Sequence, residues 1–600
     1  MGVMRSLRKY SNQKHHLSFV GQLVYTACFI SSCVTVTILI ASYETKNNTN
    51  IDDQFEPGPQ SNDQLRVDWH DYELLQREVA RSGPGEQGVP VVLKSKKDIK
   101  LNRRQELRYG FWPGVSDMIA LNRSIADLRH PGCRDKLYPL DLPSVSVIIP
   151  VYKERLSTLL RTLHSLFNRT PPELLKEVIL INDNSSENPP FKTYVDLHFP
   201  PTKVKLINLP ERVGSIKARM KGAQAATGSV LVFAQSHIEV STNWLPPLIE
   251  PIVENHRTCV VPQIDAIDAK TFENYGMGTA KRGIFDWNLS FKRVPLREEE
   301  KADPMEPYPS PVMSGKVFAI SAKYFWELDG LPEGLEMSRG EEYDLSFKIW
   351  LCGGQLLEAP CSRVAHVLKT YYEATPLHLK ERNYKRIAEV WMDEYKLFVY
   401  DRNPVYRSLD IGDISAEKTK RENLKCKSFK WFLNKVAPDI QKHYPMIDPP
   451  PFASGVIQNV AYPEVCLDTL DRRPGQRIVL NQCSENRTHP IKTQNFRLSY
   501  FRDIRTTAFD TCLDGSNNSE VLLYRCHEEQ GNQMWQYSLE SKNIFLGKIE
   551  RNQCLDIVDS KPVTTYCDDQ KSTQKWMWGY ANVRRLNKWR HYGAKLIEVY

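Results

Sequence analysis

The sequence predicts an α/β domain built on a parallel sheet, followed by an all-β module, with one membrane-spanning helix ahead of both. Three observations carry this prediction. An N-terminal segment from Leu17 to Ala41 has no charged residue, and short β-branched runs alternate with an amphipathic stretch from about Cys133 onwards. Near the C-terminus a Cys-Leu-Asp tripeptide then occurs three times. At 600 residues the chain is too long for a single hydrophobic core.

The apolar segment at residues 17–41 is long enough to cross a bilayer core of about 30 Å as a helix. Four cations precede it, namely Arg5, Arg8, Lys9 and Lys14. The positive-inside rule therefore predicts a cytoplasmic tail at 1–16, a transmembrane signal-anchor at 17–41 and a lumenal remainder, as in a single-pass type II protein. A cleaved signal peptide is the alternative, but its apolar stretch would be unusually long. Residues 42–100 are polar and lack an apolar period, so they are predicted to be a stem.

Four short apolar runs predict the strands of the α/β domain: Val145–Val151, Val178–Asn182, Val204–Leu209 and Val230–Ala234. An amphipathic stretch, Leu156–Phe167, lies between the first two and predicts a helix. Strands that alternate with helices favour a parallel, Rossmann-like sheet. Ligands of such sheets bind beyond the carboxyl ends of the strands, where Asp183, Gln235, Ser236 and His237 follow two of these runs.

A Pro-rich segment at 441–453 predicts a stiff linker, and beyond it the chain repeats itself. The Cys-Leu-Asp tripeptides begin at Cys466, Cys512 and Cys554, at intervals of 46 and 42 residues. Each is followed by a second cysteine and then by Gln-x-aromatic. This period predicts small modules that share one core, with one local disulfide in each repeat.

The composition excludes several classes of protein. With 41% hydrophobic and 25% charged residues, the chain is neither wholly disordered, nor fibrous, nor a multi-span membrane protein. Eighty Lys and Arg against 72 Asp and Glu give a net charge of +8. Spread over this length, that bias does not indicate nucleic-acid binding.

The repeats resemble the ricin-type β-trefoil, a sugar-binding family marked by the same Cys-Leu-Asp and Gln-x-Trp motifs, and they span 454–580. The aromatic of each Gln-x-aromatic motif is expected to pack in the core. By the family pattern only the middle repeat has a full set of sugar ligands, Asp514, His527 and Asn532. Asp468 and Asp556 are expected to be structural remnants.

The rest of the chain resembles the Golgi polypeptide N-acetylgalactosaminyltransferases over roughly residues 83–580. Blocks that carry the resemblance are Leu121–Ser124, Ser157–Ser165, Gly214–Gly222, Phe285–Leu289 and Glu389–Tyr395. The resemblance implies a GT-A glycosyltransferase domain at 101–440 and a Golgi membrane location with the catalytic part in the lumen. It also implies transfer of GalNAc from UDP-GalNAc to Ser or Thr of proteins, with retention of configuration and with Mn²⁺ as cofactor. The lectin module is expected to bind GalNAc-bearing glycopeptides.

The resemblance also implies roles for individual residues. Glu341 matches an active-site carboxylate, and His237 and His366 match metal ligands. The third metal-ligand position, an aspartate in the family, is Gln235. The remaining matches are UDP-sugar contacts at Asp183, Arg212, Ser236 and Lys369, and peptide-acceptor contacts at Phe285 and Trp287.

Departures from the family pattern gather at the donor site. The Gln235 amide can coordinate a metal but has no charge, so Mn²⁺ affinity is expected to fall. Lys369 offers a point charge where the family has the planar fork of an arginine. The family block Trp-Gly-Gly-Glu-Asn is Ser338–Glu342 here. An alternative function therefore stays open, that of a catalytically inactive relative that binds glycoproteins and modulates active enzymes.

The cysteines complete the sequence-based predictions. Of thirteen, Cys28 and Cys33 lie in the predicted span. The resemblance implies the pairs Cys133–Cys361 and Cys352–Cys426, and the repeats predict Cys466–Cys483, Cys512–Cys526 and Cys554–Cys567. Cys259 is then the unpaired lumenal thiol. Residues 581–600 form a basic tail to which no function is assigned.

Overall fold

The computed structural model describes residues 65–185, 191–370, 375–506, 511–517, 520–528, 530–547 and 552–592. The predicted cytoplasmic tail, the predicted span at 17–41 and the first part of the predicted stem lie outside these residues. Among the residues that are described, no helix is both long and apolar enough to cross a membrane.

A mixed ten-stranded sheet forms the α/β domain. Eight strands follow one another across it in the order Tyr308–Pro309, Gln355–Val367, Thr258–Ile267, Phe318–Ser321, Val230–Phe233, Val145–Val151, Leu175–Asn182 and Val204–Asn208. The last four run parallel to one another, whereas Phe318–Ser321 is antiparallel to both of its neighbours. Two short strands pair off this path, Ile238–Val240 and Asn274–Tyr275. Two small ladders lie outside the sheet, Arg66–Val67 with Tyr138–Pro139 and Lys281–Phe285 with Phe291–Pro295.

The four predicted strands are present, with ends that differ from the prediction by up to three residues. Their β-branched side chains alternate between two cores. Val147 and Ile149 pack with Leu159 and Leu163 on one side of the sheet, whereas Ile148 belongs to the core on the other side. The predicted helix runs from Leu156 to Arg169. Sequence periodicity therefore predicts the parallel half of the sheet, because its inner strands are buried on both faces, whereas the edge strand Val204–Asn208 is only partly buried.

Most helices of the described residues cover both faces of this sheet or pack beside it, whereas the last one places Leu586 in the core of the C-terminal module. Their bounds are Tyr72–Val79, Lys96–Tyr109, Pro113–Met118, Leu156–Arg169, Phe191–His198, Ser215–Ala225, Pro246–Glu254, Ala322–Glu327, Glu341–Leu351, Leu377–Trp391, Lys396–Arg402, Ser415–Asn423, Phe429–Lys435, Ile440–His443 and Val583–Tyr592.

The predicted stem at 42–100 is wrong for residues 65–100, which are folded onto the α/β domain. Glu78 lies in the first helix and is buried against Arg169, whose Nη2 atom is 2.7 Å from its Oε1 atom. Glu86 accepts hydrogen bonds from the backbone and hydroxyl of Ser124 at 2.7 and 2.8 Å. This segment is held by buried charged pairs and caps, so it shows no apolar period in the sequence.

The C-terminal module is a twelve-stranded all-β unit. Its strands are Ala453–Asn459, Val465–Asp468, Val479–Gln482, Phe496–Leu498, Ile504–Thr506, Thr511–Asn517, Glu520–Arg525, Trp535–Tyr537, Ile544–Leu546, Gln553–Val558, Lys561–Tyr566 and Trp576–Ala581. The last strand pairs with the first. One core unites the three repeats and contains the Gln-x-aromatic rings, Phe496, Trp535 and Trp576, all fully buried. The prediction that these rings are core residues is confirmed.

All five predicted disulfides are present: Cys133–Cys361, Cys352–Cys426, Cys466–Cys483, Cys512–Cys526 and Cys554–Cys567. Cys259 is a free thiol buried in the sheet. Burial raises the pKa of this thiol, which keeps it protonated and unreactive.

Candidate active site and lectin site

Polar side chains converge where four strands of the sheet end or pass. Glu154 follows the strand Val145–Val151, and Gln235 and His237 follow Val230–Phe233. His366 lies in the strand Gln355–Val367, which pairs with Ile238–Val240 so that His366 is opposite Ile238. Val367 also donates its backbone N–H to the His237 carbonyl at 3.1 Å. These backbone pairings bring the two imidazole ring centroids to 4.8 Å from each other.

The three predicted metal ligands are therefore adjacent in space. The Gln235 Oε1 atom lies 2.5 Å from His366 Nε2, so the amide and the imidazole are hydrogen-bonded to each other. Two other ring nitrogens, His237 Nε2 and His366 Nδ1, are buried without a hydrogen-bond partner among the described residues. Nitrogen and oxygen donors that could hold a divalent cation are present, but none of the three side chains carries a negative charge.

Glu154 contacts three side chains of this cluster. Its Oε2 atom lies 2.8 Å from His237 Nδ1 and accepts from the Ser236 hydroxyl at 2.9 Å and from Lys369 Nζ at 2.9 Å. Because an ionised carboxylate only accepts hydrogen bonds, the shared proton belongs to His237 Nδ1. The lone pair of His237 Nε2 then faces the cluster. The sequence-based predictions assigned Glu154 no role, although its position three residues after a strand end marks it as a site residue.

Electrostatics keep both histidines neutral. Burial, with Lys369 as the next cause, lowers the pKa of His237. Burial also lowers the pKa of His366 well below its usual value, and His237, Lys316 and Lys369 add to that effect. Burial opposes ionisation of Glu154, but Lys369 and His237 outweigh it and lower its pKa to about 2. At neutral pH the cluster thus has one carboxylate, two neutral imidazoles and the nearby charge of two lysines.

The predicted UDP contacts lie along the same edge of the sheet. Asp183 accepts the backbone N–H groups of Val213 and Gly214, at 2.7 and 2.9 Å, and so holds the turn that precedes the helix Ser215–Ala225. The Arg212 guanidinium lies 3.9 Å from the ring centroid of Tyr152. Asp183 is 3% exposed, so its present role is to hold the turn that carries Arg212.

Gly214 connects this turn to the divergent segment that precedes Glu341. Its φ is +87°, and a Cβ atom there would lie 2.2 Å from the Met337 Cα atom. The Ile216 N–H donates to the Met337 carbonyl at 3.2 Å. From the other side, the Asn383 amide donates to the carbonyls of Glu336 and Arg339 at 2.8 and 2.9 Å. The segment is therefore clamped between two helices.

Glu341 is the first residue of the helix Glu341–Leu351. Its Oε1 atom lies 3.5 Å from Arg219 Nη1, and its Oε2 atom is buried without a hydrogen-bond partner among the described residues. Arg219 is also held by the Gly315 carbonyl at 2.7 Å. Burial and the neighbouring Glu341 carboxylate raise the pKa of Glu342 to about 7. Glu341 thus combines an arginine partner with an unused acceptor oxygen, which suits binding of a sugar hydroxyl.

The predicted acceptor residues lie in a core. Phe285 and Trp287 are 0% and 1% exposed. Phe285 packs against a cluster of rings that includes Phe347, and the Trp287 indole N–H donates to the Tyr444 carbonyl at 2.8 Å. Their observed role is to join the hairpin Lys281–Phe285 and Phe291–Pro295 to the helices beside it, and acceptor contact stays a prediction.

The predicted lectin ligands meet in the middle repeat. Asn532 Nδ2 donates to Asp514 Oδ2 at 2.5 Å, and His527 Nε2 lies 3.3 Å from Asn532 Oδ1. Gln533 ties the set together, because its amide donates to Asp514 and accepts the His527 backbone N–H. The three polar groups lie side by side, as a sugar-binding site requires.

The first and third repeats keep the hydrogen bond between the Asp and the Gln of the two motifs, but they lack the full set of sugar-binding side chains. Gln494 donates to Asp468 at 2.9 Å, and Gln574 donates to Asp556 at 3.1 Å. Both aspartates are buried. The Asp of each repeat is therefore a partner of the Gln-x-aromatic glutamine, and in the first and third repeats the structure shows it in that role.

The fold and the two sites define a class of protein, a glycosyltransferase domain of the GT-A type joined to a β-trefoil lectin domain. The model of glycosyl transferase family 2 matches residues 146–329, and the ricin-type beta-trefoil lectin domain matches residues 453–576. N-acetylgalactosaminyltransferase 6 of Drosophila melanogaster is 42% identical over 567 residues, which cover 91% of this chain and 85% of that protein. The chain belongs to the polypeptide N-acetylgalactosaminyltransferase family.

Two further relatives extend the comparison. Polypeptide N-acetylgalactosaminyltransferase 10 of Homo sapiens is 42% identical over 539 residues, which cover 87% of each chain. A crystal structure of GalNAc-T7 with UDP, GalNAc and Mn²⁺ superposes with a TM-score of 0.61 at 35% identity. That match covers 84% of this chain and 93% of the other.

Proposed function

We propose that this chain transfers GalNAc from UDP-GalNAc to Ser and Thr hydroxyls of proteins. The observation that carries the proposal is the cluster at the carboxyl edge of the sheet, where the rings of His237 and His366 lie side by side. Glu341 is connected to the sheet through Arg219, which contacts both Glu341 and the Gly315 carbonyl ahead of the strand Phe318–Ser321. Its family relatives carry the same activity in their names. The GalNAc-T7 structure contains UDP, GalNAc and Mn²⁺.

Mn²⁺ fits this site by donor type but not by charge. His237 offers its unpartnered Nε2, whereas His366 Nε2 and the Gln235 amide oxygen would have to give up their hydrogen bond to each other. Mn²⁺ prefers carboxylate oxygens, so the negative ligand would have to come from the nucleotide diphosphate. Held by these residues, the ion would supply positive charge to the departing diphosphate.

The protein's own groups bind and orient the donor. Glu154 fixes the His237 ring through Nδ1, and Lys369 adds an ammonium on the same carboxylate. Arg212, stacked on Tyr152, offers its guanidinium to a phosphate or a base at the start of the helix Ser215–Ala225. Glu341 directs its free carboxylate oxygen to a hydroxyl of the sugar, which positions the anomeric carbon for transfer.

The test uses the lumenal part of the chain with UDP-GalNAc and a Ser/Thr peptide. The native protein should glycosylate the peptide, and Glu341→Gln should lower the rate by about a hundredfold, the scale of a lost charged contact in a water-excluded site. Glu298→Gln is the matched control, because that side chain is 90% exposed. Equal rates for the native protein and the Glu341 variant would reject this role of Glu341. Absence of both transfer and UDP binding would reject the transferase proposal.

A second function is favoured by one observation, the neutral amide of Gln235 hydrogen-bonded to His366. In that reading the chain is an inactive family member that binds glycoproteins through Asp514, His527 and Asn532. Binding of a GalNAc-bearing peptide without any turnover of UDP-GalNAc would support it. Robust turnover by the native protein would reject it.

The proposed location is the Golgi membrane. The charge distribution around residues 17–41 supports a type II orientation, with the catalytic and lectin domains in the lumen. Five disulfides are consistent with an oxidising compartment. Protection of an epitope tag at residue 600 from external protease in sealed Golgi vesicles would support the orientation, and cleavage of that tag would contradict it.

A further inference from the structure

Lys316 is a residue of the candidate active site that the sequence did not mark. It lies two residues before the strand Phe318–Ser321, which pairs antiparallel with Val230–Phe233 so that Phe318 is opposite Phe233. Lys316 precedes this pairing by two residues and Gln235 follows it by two, so both leave the paired strands at the same end. Lys316 therefore lies at the same end of the sheet as the position where the family pattern has a carboxylate.

The charges around Lys316 support this placement. Burial lowers the pKa of Lys316, and Arg293 and Arg339 add to the effect. Lys316 in turn lowers the pKa values of His237 and His366, so its charge acts on both imidazoles. The cluster therefore contains a half-buried cation near two neutral rings.

No anion in the described part of the chain neutralises this cation. Lys316 forms no hydrogen bond or ion pair with a described residue. Glu154, the carboxylate that contacts His237, is already engaged by Lys369, by Ser236 and by the His237 ring. A buried ammonium without a partner is costly, and a bound anion removes that cost.

Two ammonium groups, those of Lys316 and Lys369, thus act on the space next to the imidazoles. A dication entering there meets no carboxylate among the three predicted ligands, and the two ammonium charges exceed the single Glu154 charge beside them. A diphosphate is attracted by both charges and would accept hydrogen bonds from them. A neutral amide at Gln235 and a lysine at the same end of the sheet both make the local charge more positive than an aspartate there would.

We propose that Lys316 binds the diphosphate of the donor nucleotide and that UDP binds this chain without a divalent cation. This inference rests on the proposed function, since it takes the cluster to be the donor site. Lys316 then supplies the positive charge that a metal supplies in a site with an aspartate. Lys369 holds Glu154 and provides a second cation near His237.

The experiment measures UDP binding by calorimetry to the lumenal part of the chain, once with EDTA and once with Mn²⁺. The native protein should bind UDP in EDTA with an affinity within about threefold of that in Mn²⁺. Lys316→Gln should weaken binding in EDTA by about tenfold or more, the effect of losing one charged hydrogen bond. Lys316→Arg keeps the charge and should stay near the native affinity. Lys323→Ala is the surface control, because that side chain is 72% exposed.

The outcomes separate this inference from the proposed function. UDP binding that occurs only with Mn²⁺ overturns the inference and leaves the transferase proposal standing. The inference is also overturned if Lys316→Gln has the same melting temperature as the native protein and binds UDP in EDTA with the same affinity. Failure to bind UDP in either condition rejects the proposed donor site itself. The native comparison of EDTA with Mn²⁺ needs no variant, so misfolding of Lys316→Gln cannot hide the answer.

Discussion

The Gln235 amide oxygen lies 2.5 Å from the Nε2 atom of His366, so two predicted metal ligands are hydrogen-bonded to each other. An aspartate at this position would place a negative charge beside the two imidazoles, whereas glutamine leaves the site without one. A metal ion bound here has to displace this hydrogen bond. The Gln235–His366 contact therefore opposes metal binding in two ways, through lost charge and through competition.

Gln235→Asp should restore metal affinity. We expect the affinity for Mn²⁺ in the presence of UDP to rise by about tenfold or more, because a charged ligand replaces a neutral one. Titration of Mn²⁺ followed by its electron paramagnetic resonance signal measures this directly. Gln570→Asp adds the same charge at an exposed position and should leave the affinity unchanged. Equal Mn²⁺ affinities for the native protein and Gln235→Asp would show that Gln235 does not limit metal binding.

Glu154→Gln should destabilise the fold and alter its dependence on pH. The variant leaves the buried Lys369 ammonium without its anion, a change that costs about 3 kcal/mol in comparable buried pairs. The folded-state pKa of Glu154, about 2, is below its ordinary value of 4.5. Its stabilising contribution is therefore complete above about pH 5 and is lost as the pH falls towards 2.

Urea unfolding of both proteins between pH 3 and pH 7 tests this prediction. The difference in the free energy of unfolding between native protein and Glu154→Gln should shrink as the pH falls. Glu298→Gln, at an exposed position, should show no such convergence. A difference that stays constant over this range would contradict the role of Glu154 as a buried anion.

The parallel half of the sheet could be predicted from the sequence because strands buried on both faces are continuous apolar runs, as in Val145–Val151. The repeats and their disulfides followed from the cysteine spacing and the family resemblance. Lys316 could not be found this way, because its approach to Gln235 depends on the antiparallel pairing of Phe318–Ser321 with Val230–Phe233. The folded part of the predicted stem was missed since its fixed points are polar contacts such as Glu78 with Arg169.

The lectin site gives a prediction that separates binding from folding. His527→Ala should lower the affinity for a GalNAc-bearing peptide by about tenfold or more, because the His527 ring lies beside Asn532 in the predicted sugar site. Asp468→Asn, in the first repeat, is the control and should leave binding unchanged. Calorimetry with the glycopeptide, and with the same peptide lacking the sugar, measures the effect. An unchanged glycopeptide affinity in the His527 variant would contradict the assignment of the sugar site to the middle repeat.

The two domains meet at an ion pair whose removal should change both stability and sugar binding. Lys292, on the hairpin that also carries Phe285, lies 2.9 Å from the Glu528 carboxylate and donates to the His527 carbonyl at 3.2 Å. Both charged side chains are buried, and Arg505 is a second partner of Glu528 at 2.7 Å. Glu528→Gln should therefore cost about 2 kcal/mol, because Lys292 and Arg505 lose a shared anion and keep only Asp286 and Asp503, at 3.6 and 2.8 Å.

Lys292→Ala should cost less, about 1–2 kcal/mol, since Arg505 still neutralises Glu528. The double variant should be more stable than the sum of the two single effects predicts, because the second change removes a cation that has already lost its contact with Glu528. Urea unfolding of the four proteins gives this coupling energy. Lys292→Ala should also weaken glycopeptide binding, since the backbone of His527 loses its donor. Strictly additive effects, with unchanged sugar affinity, would show that the ion pair joins the domains without influencing the lectin site.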